Sequence, residues 1–431
     1  MPDDTIEARI TASCPPSISE ILSHAWHHDL ASLKPLLSVP GRASVQDPTT
    51  GETPLHAAIR SCGNTDSGSV KDIKAAKAVV HELFLSGAIW NDVDSNNETP
   101  GCVAARLHQD ELYTLCVEAG MRAELLFGLL DGYEELDSDA EDGDADDEAE
   151  ANVVEAEIEG EAKDGDDAPE DIILESDPDR AFSPPKAAGD SGPQVTSAGY
   201  LRANLTYSDG KLVDDAQNGV MMAWETSIMR ASVDALLPGR PAEKRVLNIG
   251  FGMGIIDAMF RETRPARHHI VEAHSEVLKY VESSPDCTFG PAWEATGPGE
   301  GAYKVHAGKW QEVVPKLLEQ GELYDAIYFD TFGEDYAQLR MFFTEYVPAL
   351  LDEGGVFSFF NGLGADRKVC YDVYTKVVEL HLTDAGLDVE WNELDVNMEG
   401  LEEEGKGEWQ GVKRRYWTLD KYRLPIITFL T

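Results

Sequence analysis

The sequence predicts an open, Rossmann-like α/β sheet in residues 198–431, preceded by an all-α block in residues 1–130. Three observations predict it. Strand-like and helix-like segments alternate from Ala198 onward, a glycine-rich turn sits between one such strand and the next helix, and a Thr-Pro helix-opening motif recurs before residue 130. Between the two blocks, residues 131–197 read as an acidic, disordered linker.

In the first block, Thr53-Pro54-Leu55-His56-Ala57-Ala58 has the turn-then-helix signature of an ankyrin repeat. The Thr-Pro opens the helix, and the small alanines let paired helices approach closely. A degenerate copy, Thr99-Pro100-Gly101-Cys102-Val103-Ala104-Ala105, follows 46 residues later. The ankyrin period is about 33 residues, so the polar stretch Ser61–Asp72 reads as an insertion. Upstream, ISEILSHAWHHDLASLKPLLS supplies an atypical capping helix pair. His56 reads as a structural hydrogen-bonding residue rather than a ligand, and an unrelated helical bundle is the competing reading of the block.

Charge defines the second block. The chain carries a net charge of −45, and between Asp131 and Arg180 there are 24 Asp and Glu against only Lys163 and Arg180. Such a stretch lacks the apolar density to offset its ordering entropy, and like charges extend it. The charge disfavours direct nucleic-acid binding, which needs clustered Lys and Arg, and favours a basic protein partner. The six cysteines form no C-x-x-C pair, so neither zinc nor a disulfide framework is indicated. MPDDTIEARI lacks the apolar core of a signal peptide, and no apolar run approaches 18 residues. An intracellular protein that does not engage a membrane is therefore expected.

In the third block, RVLNIG (Arg245–Gly250), HHIVEA (His268–Ala273) and YDAIYFD (Tyr324–Asp330) read as buried strands. ALLDEGGVFSFFN reads as a helix end, a Gly-Gly turn and another strand, and RRYWTLDKYRLPIITFL as strands of an edge hairpin. The central signal is Gly250-Phe251-Gly252-Met253-Gly254, where the backbone must turn sharply and approach a ligand without interference from a Cβ. Glu272 ends the next strand, 22 residues after Gly250, a spacing that sets a carboxylate beside a ribose. A dinucleotide fingerprint wants a third glycine at 255, where this chain has Ile, and wants helix amides free for a pyrophosphate. The G-x-G-x-G form suits S-adenosylmethionine, which has no phosphate. A class I S-adenosylmethionine-dependent methyltransferase domain is the expectation.

Several ordered motifs sharpen it: VMMAWETSIM (Val220–Met229), VLNIGFGMGI, IVEAH, GKW (Gly308–Trp310) and YFDTF (Tyr328–Phe332). Together they resemble guanidinoacetate methyltransferase over nearly the whole third block. With the ankyrin-like block ahead of it, the chain is similar to the fungal arginine N-delta-methyltransferases, the type IV protein arginine methyltransferases. Ordinary protein arginine methyltransferases carry a β-barrel after the cofactor domain, and only 181 residues follow Gly250 here.

The resemblance implies methyl transfer from S-adenosylmethionine to the internal guanidino nitrogen of arginine in basic protein substrates, ribosomal proteins among them, in cytoplasm and nucleus. It implies that Glu225 binds the guanidino group and that Asp330 lies between it and the cofactor. No metal is expected, because the sulfonium is already an activated leaving group. Tyr207, Met221 and Met229 would line the cofactor, together with the loop and helix start Gly250, Phe251, Gly252, Met253, Gly254, Ile255 and Ile256. Glu272, Ala273 and His274 would hold the ribose side, and Lys309 and Trp310 would flank the adenine. Plain core packing competes for the two methionines, and a general-base role competes with a loop contact for His274. The chemistry agrees, because a planar guanidinium is best held by carboxylates through paired hydrogen bonds. Methylation of a small guanidino compound and a non-catalytic ankyrin scaffold are the alternatives. The expected division of labour has residues 198–431 binding cofactor alone while residues 1–130 recruit the protein substrate.

Overall fold

The computed structural model describes residues 4–63, 73–138, 195–208, 210–402, 407–413 and 415–430. Residues 1–125 and 185–431 form one compact unit, and residues 126–184 a second.

The N-terminal part of the first unit is helical throughout its described regular elements: α1 (Ile6–Arg9), α2 (Pro16–Trp26), α3 (Leu30–Leu36), α4 (Pro54–Arg60), α5 (Ile73–Leu85), α6 (Pro100–Arg106) and α7 (Asp110–Ser138), of which residues 110–125 belong to this unit. The two Thr-Pro motifs do the same local work. Thr53 and Thr99 cap α4 and α6, each accepting a hydrogen bond of 3.2 Å from the amide of His56 or Cys102, with proline at the first helical position. α4 lies between α2, α5 and α6, and its Ala57 and Ala58 are fully buried there.

His56 Nδ1 meets Thr53 Oγ1 at 2.8 Å and Nε2 meets the Glu98 carbonyl at 2.9 Å, tying one motif to the other. Burial pushes its imidazole down to about 4, so it stays neutral. Most of the predicted insertion, residues 64–72, lies outside the described residues.

A buried ion network runs beneath these helices. Arg60, fully buried, donates to Glu52 at 3.2 Å and to Asp94 at 2.7 Å, while Arg9 donates to Glu52 at 2.9 Å. Arg106 extends it to Glu98 at 2.6 Å and Asp4 at 2.8 Å. α7 continues to Ser138, so its Leu-rich run carries helix past the predicted boundary at residue 131. Residues 139–194, the bulk of the predicted linker, lie outside the described residues.

After a short helix α8 (Ser197–Tyr200), the strands β1 (Leu205–Ser208), β2 (Lys211–Asp214) and β3 (Gly219–Met222) form a small antiparallel sheet. A 3-10 turn at Ala223–Glu225 leads into α9 (Thr226–Leu236). The main fold follows: β4 (Arg245–Ile249), α10 (Ile255–Glu262), β5 (Arg267–Glu272), α11 (Ser275–Ser283), α12 (Pro291–Glu294), β6 (Tyr303–Ala307), α13 (Trp310–Glu319) and β7 (Tyr324–Phe329). Then come α14 (Tyr336–Met341), α15 (Val347–Leu350), β8 (Leu351–Phe359), α16 (Lys368–Asp384), β9 (Leu387–Asp395), α17 (Met398–Glu402) and β10 (Lys421–Phe429).

The main strands form one seven-stranded sheet in the order β6-β5-β4-β7-β8-β10-β9, a Rossmann-like arrangement. β10 is antiparallel to both neighbours, and the other pairings are parallel. Alternation along β4 shows how it is held. Leu247 and Ile249 enter the core under α13, and Val246 enters the core under α9 and α10.

Two sequence expectations change in detail. Gly354-Gly355 is no turn: both residues lie inside β8, where the register against β7 shifts, and Gly354 takes a φ of +76°. The C-terminal tail yields one strand, β10, which is paired on both sides, and its hairpin partner β9 forms the sheet edge.

The N-terminal helices dock on α16. A Cβ at Gly101 of α6 would lie 2.6 Å from Val369, and one at Gly120 of α7 would lie 2.7 Å from Val373. Tyr113 donates to Asp372 at 2.5 Å, Tyr374 to Glu124 at 3.0 Å, and Arg367 to Asn97 at 2.8 Å. Among the described residues, no helix is long and apolar enough to cross a membrane.

Candidate active site

Strand order reverses between β4 and β7, and there the two strand ends are welded together. Asp330 N donates to Ile249 O at 2.8 Å. Gly250 has a φ of +94°, and a Cβ on it would stand 2.0 Å from the Asp330 carbonyl oxygen. The glycine is thus demanded by the chain itself, in addition to any ligand. An open sheet places its binding crevice outside the strand ends at such a reversal. A cavity of about 270 Å³ lies here, and among its lining residues are Met221, Glu225, Gly250, Gly252, Glu272, Ala273, Lys309, Trp310 and Asp330.

The other predicted contacts sit behind this wall. Tyr207 donates to the Gly252 carbonyl at 3.1 Å and stacks on Tyr280 with ring centroids 4.3 Å apart. Met229 and Ile256 are core residues under the sheet, with Met253 and Ile255 packed against the same cluster. The Phe251 ring packs in a separate core against Phe289, and Gly254 caps α10 with a φ of +70°. Met221 does two things, lining the cavity while its sulfur accepts the Met253 amide at 3.2 Å.

His274 is fully committed. Its Nδ1 accepts the Glu276 amide at 3.1 Å as the cap of α11, and its Nε2 meets the Tyr200 carbonyl at 2.9 Å. With one nitrogen accepting from an amide and the other facing a carbonyl, it has no lone pair left for proton abstraction. It does not line the cavity.

Glu272 is buried at the end of β5. One oxygen accepts the amides of Phe251 at 2.9 Å and Gly252 at 3.4 Å, and the other accepts the His274 amide at 2.6 Å. Burial raises its carboxyl above the ordinary value, opposed by these backbone donors. Its carboxyl oxygen holds the glycine loop through the Phe251 and Gly252 amides. Beneath that loop, the Asn248 side chain donates to the Gly250 carbonyl and to Asp257, both at 2.8 Å. Trp310 packs edge-on against Phe329 and Phe342, and its indole N–H donates to Glu334 at 3.0 Å.

Glu225 and Asp330 share the cavity. Burial, and then the charge of Asp330, raises the Glu225 carboxyl well above its usual value, and burial pushes Asp330 up to about 7. Asp330 Oδ2 is buried without a hydrogen-bond partner among the described residues. Glu225 Oε1 accepts the Met222 amide at 3.1 Å and the Tyr416 hydroxyl. Tyr416 and Glu334 also line the cavity and were not read from the sequence: Tyr416 acts across folded distance, and Glu334 lies two residues past the YFDTF motif, where it accepts the Thr331 hydroxyl at 2.7 Å.

Charge tests what can bind. Acidic Glu225, Glu272, Asp330, Glu334 and Asp335 line the cavity, with Lys309 the one basic residue among the described lining residues. That wall repels a polyphosphate and suits a cationic sulfonium. Among the described residues, no group of three or more His, Cys, Asp and Glu is placed to hold a metal.

The family model for guanidinoacetate N-methyltransferase matches residues 200–386. Sheet order, crevice and this match define an S-adenosylmethionine-dependent methyltransferase. A relative from Neurospora crassa named protein arginine N-methyltransferase 2 is 61% identical over 429 residues, 99% of each chain. Relatives of the same name from Gibberella zeae and Aspergillus fumigatus are 59% and 44% identical, covering 97% and 96% of this chain and 94% and 96% of their own. The chain belongs to the protein arginine N-methyltransferase 2 family.

Proposed function

We propose that this enzyme transfers a methyl group from S-adenosylmethionine to the internal guanidino nitrogen of arginine in basic proteins. One observation carries the reading: two carboxylates, Glu225 and Asp330, line one cavity, and burial raises the pKa of both. Such a pair wants a cation with planar donors, and a guanidinium is one.

Bound S-adenosylmethionine supplies an activated methyl on a positively charged sulfur. Glu225 and Asp330 accept N–H bonds from the terminal guanidino nitrogens and hold the plane, so that the internal nitrogen faces the methyl group. As the N–C bond forms and the S–C bond breaks, the displaced guanidino proton passes to a carboxylate, and Asp330, whose Oδ2 accepts no hydrogen bond among the described residues, is placed to receive it. Glu272 fixes the glycine loop and would offer a remaining lone pair to a ribose hydroxyl of the bound cofactor. Lys309 and Trp310 would flank its adenine.

Methylation of a small guanidino compound is not favoured, because relatives matching along the whole chain bear the protein-arginine name. We read the N-terminal helices as ankyrin-like repeats. Capped Thr-Pro helices and the His56 bridge support this. The net charge of −45 supports a basic protein partner.

Mass spectrometry of a methylated arginine peptide, with fragmentation that locates the methyl, tests the reading. Monomethylation on the internal nitrogen is expected; mainly terminal or dimethylated arginine would refute the geometry.

A further inference from the structure

We propose that Tyr416 is a positioning residue for Glu225, and that residues 407–413 hold it there. The proposal rests on the arginine reading above. Its basis is a hydrogen bond that spans 191 positions of sequence, from the Tyr416 hydroxyl to Glu225 Oε1. The Met222 amide donates to the same oxygen at 3.1 Å. The last torsion of a glutamate is soft, and two donors on one oxygen fix its plane. Oε2, which receives no hydrogen bond among the described residues, is then the oxygen presented to the cavity that Glu225 and Tyr416 both line.

The phenol is itself held. Its ring stands edge-on to Trp409 with centroids 5.0 Å apart, and 6.0 Å from that of Trp224. The segment 407–413 grips the turn bearing Glu225 and the small sheet before it. Glu408 accepts the Trp224 amide at 2.8 Å, Gln410 O accepts Lys211 Nζ at 2.9 Å, and Lys413 N donates to Gln217 O at 2.9 Å. Burial and the Glu225 charge keep the Tyr416 hydroxyl protonated, so it remains a donor. Asp330 and Glu408 both repel the Glu225 carboxylate, and the hydroxyl and the Met222 amide are what oppose its displacement.

Tyr416→Phe removes one hydroxyl and keeps the ring. S-adenosylmethionine affinity by calorimetry and the KM for it should match the parent, which also shows that the variant is folded. The kcat on an arginine peptide should fall about tenfold or more, the scale of a hydrogen bond to a charged group. In a Glu225→Gln background the same change should cost less than about twofold, because the carboxylate it positions is gone. A parent-like kcat, or an equal loss in both backgrounds, would overturn the proposal. Glu408→Ala, which frees the Trp224 amide without touching the ring, is the second variant. It should lower kcat several-fold with cofactor affinity kept, and a parent rate would remove the segment from the account. The parent enzyme in the same assay separates the two readings. A parent that leaves arginine unmethylated refutes the function and this proposal with it, whereas an active parent beside an indifferent Tyr416→Phe refutes the positioning alone.

Discussion

Asp330 carries a buried oxygen that meets no donor among the described residues, beside a glutamate of the same charge, and this sets the pH behaviour of the enzyme. With its carboxyl at about 7, the free enzyme holds a proton on the pair through part of the neutral range. A guanidinium reverses this by favouring both ionised forms. The acid limb of kcat/KM, which reports free enzyme, should therefore fall near pH 7, and that of kcat should lie lower, because it reports the complex. Coincident limbs would contradict the paired-carboxylate clamp. Stability follows with its own sign. The folded state keeps the Asp330 proton to about pH 7, while an unfolded aspartate releases it near 3.8. The penalty is absent below about pH 4, grows as pH rises and is complete above about 7. Asp330→Asn should thus melt higher than the parent at pH 8 and with it near pH 4, as scanning fluorimetry would read. Both acids were legible because each sits inside a local motif, Trp224-Glu225-Thr226 or Tyr328-Phe329-Asp330. Tyr416 was not, since what it does depends on a partner 191 positions away.

At the level of elements, the strand-loop-helix around Gly250 and its sharp turn were readable, but one reason for the first glycine was not. Besides any approach to a ligand, a Cβ on Gly250 would meet the Asp330 carbonyl. Gly250→Ala places a Cβ 2.0 Å from backbone at a φ of +94°, which no side-chain rotation relieves. That variant should lose cofactor binding or the fold, and normal calorimetric affinity in a stable protein would refute the weld between β4 and β7. The Thr-Pro helices were equally readable from their caps. The ion network under them was not, because charged residues read as surface until the fold buries them. Arg60 is held by Glu52 and Asp94, all three buried. Arg60→Ala strips one partner from two buried carboxylates and should cost about 3–5 kcal/mol in urea unfolding. A cost below about 1 kcal/mol would mean the network relaxes into water.

Across the whole molecule, the N-terminal helices and the catalytic sheet form one compact unit rather than two independent ones. The expectation that residues 198–431 act alone with cofactor meets a physical obstacle at α16. Val369 and Val373 pack under Gly101 and Gly120, and removing the helices bares that face to water. The contact also reaches the site, because Asn97 accepts a hydrogen bond from Arg367 at the end of a loop whose Gly362 and Leu363 line the cavity. Two roles for the helices then make different predictions. Docking of a protein substrate raises KM for that protein and spares a short arginine peptide, while bracing of the loop impairs both. The geometry favours bracing, with any docking added to it. Deleting residues 1–125 should therefore lower the melting temperature and cut kcat/KM on a short peptide by about tenfold or more, with a protein substrate losing at least as much. The milder variant Asn97→Ala, which leaves α6 and α7 docked, should shift the same peptide kinetics without a large change in melting temperature. If the truncated chain melts like the parent and methylates the short peptide at the parent rate, the helices serve as a docking arm and the bracing account fails.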